Sequence, residues 1–248
     1  MLPRSIAAGL GLLTLLMATQ AAASISLSAT RIVFDGDHKE ANITVRNGNQ
    51  DVLIQSWVDT NDAQASAAPF AVTPPLARIF AKEQQLLRIL YQGAGMPTDR
   101  ESVVWLNVQE IPQAAASDNT LQLAVRQRIK VFFRPAGLPG SALSAPAQLQ
   151  WQLQKRSADS LLTVKNPTLY HVSMADIQLQ AGKQTELAAD STMIAPGAEK
   201  QFSVKQLNSH DAVQLSFSSI NDYGAQDKYT AQLSTRLTAK AIEARTKQ

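Results

Sequence analysis

The stretch from Thr120 to Pro135, TLQLAVRQRIKVFFRP, alternates between two kinds of side chain. Its odd positions are apolar except for Gln127. Four of its even positions are cations: Arg126, Arg128, Lys130 and Arg134. Since successive side chains of a β-strand point to opposite sides of a sheet, the alternation predicts a strand with two unlike faces. The apolar row suits a protein core, whereas four cations on one strand suggest a role besides the fold.

Short β-rich runs separated by turn residues occupy the chain on both sides of this strand. They are found before it at 25–34, 41–45, 52–58, 86–91 and 103–108, and after it at 149–153, 161–164, 177–179, 202–204, 213–220 and 229–237. Strands of this length and spacing predict an all-β fold built from immunoglobulin-like sandwiches.

A change in composition divides these runs into two sets. The stretch from Pro135 to Ala147, PAGLPGSALSAPA, is rich in Pro, Gly, Ala and Ser, which is typical of a linker. We therefore expect two sandwiches, at 24–138 and 149–238, joined by a linker at 139–148. The polar tail at 239–248 is expected to fray.

The N-terminus has the pattern of an export signal. Residues 1–23 carry one cation at Arg4, an apolar run from Ile6 to Met17, and Ala21 and Ala23 in an A-x-A arrangement. This pattern predicts a secretory signal peptide, with a mature chain that begins near Ser24 and works outside the cytoplasm. No later segment approaches the ~20 apolar residues of a membrane span, so none is expected.

Charge and cysteine content exclude several classes of function. The formal net charge is +3, which is far from the strongly basic field expected of a nucleic-acid-binding protein. There is no cysteine, so disulfides, thiolate metal sites and a cysteine nucleophile are all excluded. We expect no nucleic-acid partner.

The polar residues do not form a catalytic pattern. The three histidines, His38, His171 and His210, stand in unrelated contexts and are interpreted as surface or satisfied side chains. No nucleophile elbow or phosphate-binding loop is present. The acidic residues around Asp35 are explained by a hairpin turn better than by a calcium site. We expect a protein that is not an enzyme and needs no metal or cofactor.

Eight strings occur in an order typical of one family: SATRIVF, LIQSWV, FAVTPPLARI, LLRIL, DRESVVWLNVQEIP, TLQLAVRQRIKVFFRP, NPTLYHVS and SINDYGAQ. Over essentially the whole mature chain they resemble the PapD-like family, the periplasmic pilus chaperones of the chaperone/usher pathway. The resemblance implies two immunoglobulin-like domains set at an angle with a cleft between them. The short connection from Ile111 to Thr120 is similar to that of the family's short-loop branch.

The resemblance also implies which residues meet a pilin subunit. An incomplete subunit exposes a groove, which the chaperone fills with an edge strand in donor-strand complementation. The matching strand is TLQLAV, with three donor side chains: Leu121, Leu123 and Val125. Arg31 and Lys130 match the two cleft cations that hold the subunit's C-terminal carboxylate.

Two further sets of residues match structural features of the family. Glu101, Arg134 and Asp222 match an ion network that joins the two domains. The turn Thr73, Pro74 and Pro75 matches a family turn in which one X-Pro bond is usually cis.

The resemblance predicts a periplasmic chaperone that binds, folds and caps pilin subunits and delivers them to an outer-membrane usher without a nucleotide. An alternative is a structural or adhesive surface protein of tandem immunoglobulin-like domains, which would leave the pairing of Arg31 with Lys130 unexplained. The sequence leaves self-association open, because an unpaired apolar edge strand could be capped by a loop or by a second copy before a subunit arrives.

Overall fold

The computed structural model of the protein describes residues 24–60, 68–112, 123–155, 159–205, 213–234 and 238–244. The predicted signal peptide at 1–23 and the predicted donor residue Leu121 lie outside the described residues. The described chain consists of eighteen β-strands, one turn of 3-10 helix at Ala142–Ser144 and one turn of α-helix at Ala145–Gln148. The strands form four sheets, two in each half of the chain.

The first half of the chain forms a sandwich of nine strands. In chain order they are β1 Ile25–Leu27, β2 Arg31–Asp35, β3 Glu40–Asn47, β4 Val52–Asp59, β5 Phe70–Thr73, β6 Leu76–Ile79, β7 Gln84–Tyr91, β8 Ser102–Ile111 and β9 Arg126–Arg134. One sheet has the strand order β1-β3-β7-β5 and the other has the order β2-β9-β8-β4-β6. Strands β2 and β9 are parallel neighbours, whereas β8 and β9 are antiparallel.

Alternating side chains fill the space between the two sheets of this first sandwich. On β8, Val104, Leu106 and Val108 are buried in the core, so the residues between them lie on the opposite face of the sheet. The core also contains four rings in mutual contact, with centroids 4.7 to 6.1 Å apart: Phe34, Phe70, Tyr91 and Phe133. The apolar row of the alternating strand therefore serves the fold in its later part.

The second half of the chain forms another sandwich of nine strands. They are β10 Gln150–Lys155, β11 Ser160–Lys165, β12 Val172–Ala181, β13 Gln184–Ile194, β14 Glu199–Val204, β15 Val213–Ile220, β16 Gln226–Leu233, β17 Ala239–Lys240 and β18 Ile242–Glu243. The two sheets have the orders β14-β11-β10-β17 and β13-β12-β15-β16-β18. Between the two sheets, the ring of the buried Trp151 packs against that of Phe217, with centroids 5.3 Å apart. The ring of Phe217 in turn stacks on Tyr229, with centroids 5.4 Å apart.

The linker and the tail are more ordered than their composition predicts. Residues 142–148 form the two helical turns, and Ala145 is buried in the second core. The tail, expected to fray from residue 239, instead adds β17 to β10 and β18 to β16. Ala241 between these strands is buried in the second core, which explains why a tail that is polar on average still folds back.

A cleft separates the two sandwiches. It is lined from both sides, by Arg31, Phe132 and Arg134 of the first sandwich and by His171, Ile220 and Asp222 of the second. The backbone joins the sandwiches directly as well, because the Glu101 amide donates to the Leu169 carbonyl oxygen over 2.9 Å.

A buried asparagine fixes the second wall of this cleft. Asn166 is 0% exposed, and its side-chain amide donates to the carbonyl oxygens of Tyr170 at 2.7 Å and Ile194 at 3.1 Å. Its Oδ1 accepts from the backbone amide of Thr168 at 3.0 Å and from the Thr168 hydroxyl at 2.7 Å. Asn166 therefore sets the path of residues 168–171, whose end contacts Glu101.

Replacing Asn166 with alanine is expected to lower the free energy of unfolding by about 3 kcal/mol, because buried carbonyl groups lose their donors. Equilibrium unfolding in urea measures the loss. The exposed Asn49→Ala is the matched control and should change stability by less than about 0.5 kcal/mol. Equal and small effects of the two substitutions would contradict the assigned role of Asn166.

Candidate functional site

One edge of β9 is open over half of its length. Strand β9 pairs with β8 from Arg126 to Phe133, but its other edge pairs with β2 from Lys130 to Arg134. Among the described strands, none pairs with that second edge over 126–129. The first half of β9 thus has an unpaired edge, although β9 lies between β2 and β8 in the strand order of its sheet.

The predicted donor side chains that the structure describes, Leu123 and Val125, precede this open edge. Leu123 is 73% exposed and Val125 is 42% exposed, which is unusual for apolar side chains next to a core strand. The predicted strand begins at Thr120, whereas the observed strand begins at Arg126. Val125 is linked to the sheet where its carbonyl oxygen accepts from the Glu110 amide over 3.0 Å.

The two predicted cleft cations are direct neighbours. Arg31 and Lys130 are register partners on the parallel strands β2 and β9. The Cζ of Arg31 lies 5.5 Å from the centroid of the Phe132 ring. Its Nη1 donates to the Ile220 carbonyl oxygen of the second sandwich over 2.7 Å. Its Nε is buried and has no hydrogen-bond partner. Within the described part of the chain, neither cation forms a salt bridge with an acid.

Burial makes this pair of cations costly to keep charged. Burial lowers the pKa of Lys130, and the charge of Arg31 lowers it further. Burial also lowers the pKa of Arg31, and the negative charges of Asp222 and Glu101 oppose this effect only in part. Two half-buried cations side by side, one with an unpaired donor, are chemically suited to an anion.

Arg134 joins the two sandwiches through the predicted ion network of Glu101, Arg134 and Asp222. Its Nε donates to Glu101 Oε2 over 2.7 Å, and its Nη1 and Nη2 donate to the two oxygens of Asp222, each over 2.7 Å. Burial lowers the pKa of Arg134, but the hydrogen bonds and charges of both acids raise it above its ordinary value. The Glu101 side chain is 1% exposed, so this charge has to be fully paired.

His171 belongs to the same network, and of the two predicted alternatives, surface or satisfied, it is a satisfied side chain. Its backbone amide donates to Glu101 Oε1 over 2.8 Å, and its Nδ1 lies 3.0 Å from the same oxygen. Its ring also contacts Phe132 edge-on at 6.0 Å. The partners are separated by about seventy positions along the chain, so no local pattern could have indicated the contact.

A tight turn positions Asp222 for its partner. Asn221 Oδ1 accepts from the backbone amides of Tyr223 at 3.1 Å and Ala225 at 3.0 Å. Gly224 has φ +83, and a Cβ there would lie 2.7 Å from the Thr30 Oγ1 of the first sandwich. Both the backbone angle and the close approach therefore require glycine.

The proline turn lies away from the cleft. The Thr73–Pro74 bond is cis, as the resemblance implies, and Pro75 accepts from the Ser56 amide over 2.8 Å. The turn joins β5 to β6, and β6 is the edge strand opposite β2 in its sheet. The structure therefore does not bring it together with the cations.

Neither a metal site nor a membrane-spanning helix occurs in the described residues. No group of three or more His, Asp or Glu in those parts of the chain could hold a metal ion. No helix in the same parts is long and apolar enough to cross a membrane.

Comparison with known proteins identifies the family. Residues 24–139 match the family described as "Pili and flagellar-assembly chaperone, PapD N-terminal domain", and residues 144–231 match "Pili assembly chaperone PapD, C-terminal domain". The protein belongs to the PapD family of pilus-assembly chaperones. This membership confirms the predicted pair of immunoglobulin-like sandwiches and the expectation of a chaperone and not an enzyme.

Individual relatives are similar to this PapD-family chaperone over most of its length. It is 39% identical over 224 residues to the probable fimbrial chaperone YadV of Escherichia coli (strain K12), covering 85% of this chain and 90% of that protein. The crystal structure of YadV aligns with a TM-score of 0.74 at 38% identity, covering 85% of this chain and 100% of that one. A chain from the Salmonella enterica SafA pilin in complex with the SafB chaperone aligns with a TM-score of 0.69 at 27% identity, covering 91% and 99%.

Substitutions in the ion network should differ in cost according to burial. Arg134→Leu leaves the buried Glu101 with one partner fewer and should lower the free energy of unfolding by about 3 kcal/mol or more. Asp222→Ala removes a partly exposed acid and should cost about 1 kcal/mol or less. Urea unfolding followed by tryptophan fluorescence measures both.

Arg100→Leu is the control for this comparison, because the salt bridge from Arg100 to Asp99 is exposed. We expect no measurable loss of stability from it. An Arg134→Leu protein as stable as the Arg100→Leu protein would contradict a structural role for the network.

Proposed function

We propose that this chaperone binds an incomplete pilin subunit in the periplasm by adding the region of β9 to the subunit's groove, and that it delivers the subunit to an outer-membrane usher. The observation that carries the proposal is the placement of Arg31 and Lys130, two cations without an acid partner among the described residues, at the inner end of the open edge of β9. The periplasmic location is supported by the predicted signal peptide, and the usher by the family resemblance.

In the proposed complex, the direction of the strands would bring a chain end to these cations. Strand β2 runs parallel to β9 and begins at Arg31, opposite Lys130. A strand that ran in the same direction along the open edge at 126–129 would have its C-terminus next to the start of β2. Its terminal carboxylate would therefore lie beside Arg31 and Lys130.

The chemistry of the pair suits a carboxylate. The guanidinium of Arg31 has an unpaired buried Nε and can offer a planar set of donors, while Lys130 offers a compact charge. Charge-assisted hydrogen bonds are worth about 1.5 to 3 kcal/mol each. Because the pair is half buried, a bound carboxylate would offset both the repulsion between the two like charges and the desolvation that disfavours them.

The exposed apolar side chains before β9 are suited to another protein's core. Full burial of Leu123 or Val125 in a groove would contribute about 1.5 to 3 kcal/mol per side chain. Leu121, by the family resemblance, would add a third. Backbone hydrogen bonds along the edge would hold the added strand, and alternate side chains in pockets would select its register.

The ion network has a supporting part in this proposal. Arg31 donates to Ile220 of the second sandwich, so the position of its guanidinium depends on how the two sandwiches meet. Arg134, bonded to Glu101 on one side and to Asp222 on the other, holds that placement. In the absence of a subunit, the open edge could be covered by a second copy of the chain.

Arg31→Ala and Lys130→Ala should each reduce subunit capture at least about tenfold, because one charge-assisted contact is lost. The assay is co-expression with a pilin subunit encoded beside this chain, followed by co-purification from the periplasm. Arg46→Ala, at an exposed cation of β3 in the other sheet of the first sandwich, is the matched control and should capture normally. The proposal fails if the wild-type protein never yields a stable one-to-one complex, or if both variants capture as well as the control.

Leu123→Glu should block complex formation, because a carboxylate cannot enter an apolar groove without a large desolvation cost. The same co-purification measures it, with circular dichroism as the test of folding. Leu187→Glu, at a half-exposed leucine of β13, is the control and should leave complex yield unchanged. An unchanged yield with Leu123→Glu would remove this residue from the proposed contact.

A further inference from the structure

A row of side chains crosses four neighbouring strands on the face of the sheet that points away from the first core. Asp59 on β4 is the register partner of Trp105 on β8, Trp105 is the partner of Lys130 on β9, and Lys130 is the partner of Arg31 on β2. Val104 and Leu106, on either side of Trp105 in sequence, are buried in the core. The row is therefore a continuous surface feature of the sheet that carries the candidate site.

The like charges in this row create a positional problem. Arg31 and Lys130 repel each other, and the lysine side chain is the more flexible of the two. Burial lowers the pKa of Lys130, and the charge of Arg31 lowers it further. Without an opposing attraction, the ammonium group would move away from Arg31 and into water.

Trp105 supplies such an attraction. The Nζ of Lys130 lies 5.7 Å from the centroid of the Trp105 ring, within the range of a cation–π interaction. The same ring lies 4.5 Å from the Cζ of Arg128, and tryptophan is the side chain that attracts cations most strongly through its face. Trp105 thus contacts a cation at two successive outward-facing positions of β9.

Arg128 is itself fixed from the other side. Its Nη2 donates to Asp59 Oδ1 over 2.7 Å, and the remaining oxygen, Oδ2, accepts from Asn107 Nδ2 over 2.9 Å. Both oxygens of the one acid in the row are therefore occupied by partners other than Lys130. Arg128 keeps Asp59 engaged and packs against the ring that Lys130 uses.

The choice of an aromatic ring at this position has a specific consequence. An acid at position 105 would hold Lys130 as well, but it would cancel the lysine charge and compete with any incoming carboxylate. The face of an indole ring attracts the ammonium group through its quadrupole and leaves the net charge in place. The lysine is restrained and still available to an anion.

We propose that Trp105 is a positioning residue that, supported by Arg128 and Asp59, holds the Lys130 ammonium beside Arg31 without neutralising it. This inference rests on the proposed function, in which the two cations receive the C-terminal carboxylate of a pilin subunit. It also gives a role to Arg128, which the family resemblance does not require.

The test compares two synthetic peptides with the sequence of the last strand of a pilin subunit encoded beside this chain. One peptide ends in a free carboxylate and the other in a carboxamide, and the affinity of the full mature chain for each is measured by fluorescence anisotropy. The wild-type protein should prefer the free acid. Trp105→Leu should reduce that preference by about threefold to tenfold, the range of one cation–π contact, and should leave carboxamide binding unchanged.

Two variants serve as controls. Trp105→Phe retains an aromatic face and should keep most of the preference. Trp57→Leu removes a tryptophan from the outward-facing side of β4, where it is the register partner of Asn107, and should keep all of it. If Trp105→Leu does not fold, Arg128→Gln is the substitute, with an expected loss of about twofold to threefold because the ring loses its backing cation.

A measurement without peptide tests the geometry directly. The Cε protons of Lys130, observed by NMR after selective lysine labelling, should show an upfield ring-current shift that disappears in Trp105→Leu and persists in Trp57→Leu. Absence of the shift in the wild-type protein would overturn the inference.

The outcomes of the peptide test are distinguishable. If the wild-type protein does not distinguish the two peptides, the proposed carboxylate contact is wrong. If the wild type distinguishes them and Trp105→Leu keeps the same ratio, the contact stands and the role of Trp105 is wrong. If Trp105→Leu weakens both peptides equally, the residue is structural and the inference is overturned as well.

Discussion

The arrangement of the site depends on the contacts that the buried carboxylate of Glu101 makes with both sandwiches. This carboxylate accepts from Arg134 on its own sandwich and from the backbone amide of His171 on the other. Arg134 then extends the connection to Asp222. A charge that is removed from water in this way requires all of its partners in place, so it specifies one relative position of the two sandwiches more than it adds stability.

The position of the Arg31 guanidinium depends on this geometry, because it reaches across the cleft to the Ile220 carbonyl oxygen. The polar groups of the cleft therefore fall into two classes. Those around Glu101 are paired, and they define shape. Arg31 and Lys130 have no acid partner among the described residues, and they are restrained by aromatic rings and a carbonyl group instead of by a counter-charge. This division separates the structural charges from those that are proposed to receive a ligand.

The sequence predicts the features that depend on local pattern or on family motifs. Alternation predicts β9, and the motifs indicate Arg31 and Lys130, which the structure pairs on adjacent strands. The motifs also indicate the ion network of Glu101, Arg134 and Asp222, whose contacts the structure shows. The sequence gives no local signal for the contacts of His171 and Trp105, because the fold brings their partners to them from distant parts of the chain. Strand β9 also begins later than the alternation predicts, at Arg126. The apolar residues Leu123 and Val125 that precede it have no core of this protein to face.

The parallel pairing of β2 with β9 has a consequence for which chains could be bound. Strand β2 pairs with the same edge of β9 directly after its open part. A polypeptide that lay along 126–129 in the same direction would therefore run into the first residue of β2. An internal segment of an unfolded protein would have to continue through that obstruction, whereas a chain that ends there would not. The chaperone's own backbone would therefore act as a stop that distinguishes a polypeptide terminus from a polypeptide interior.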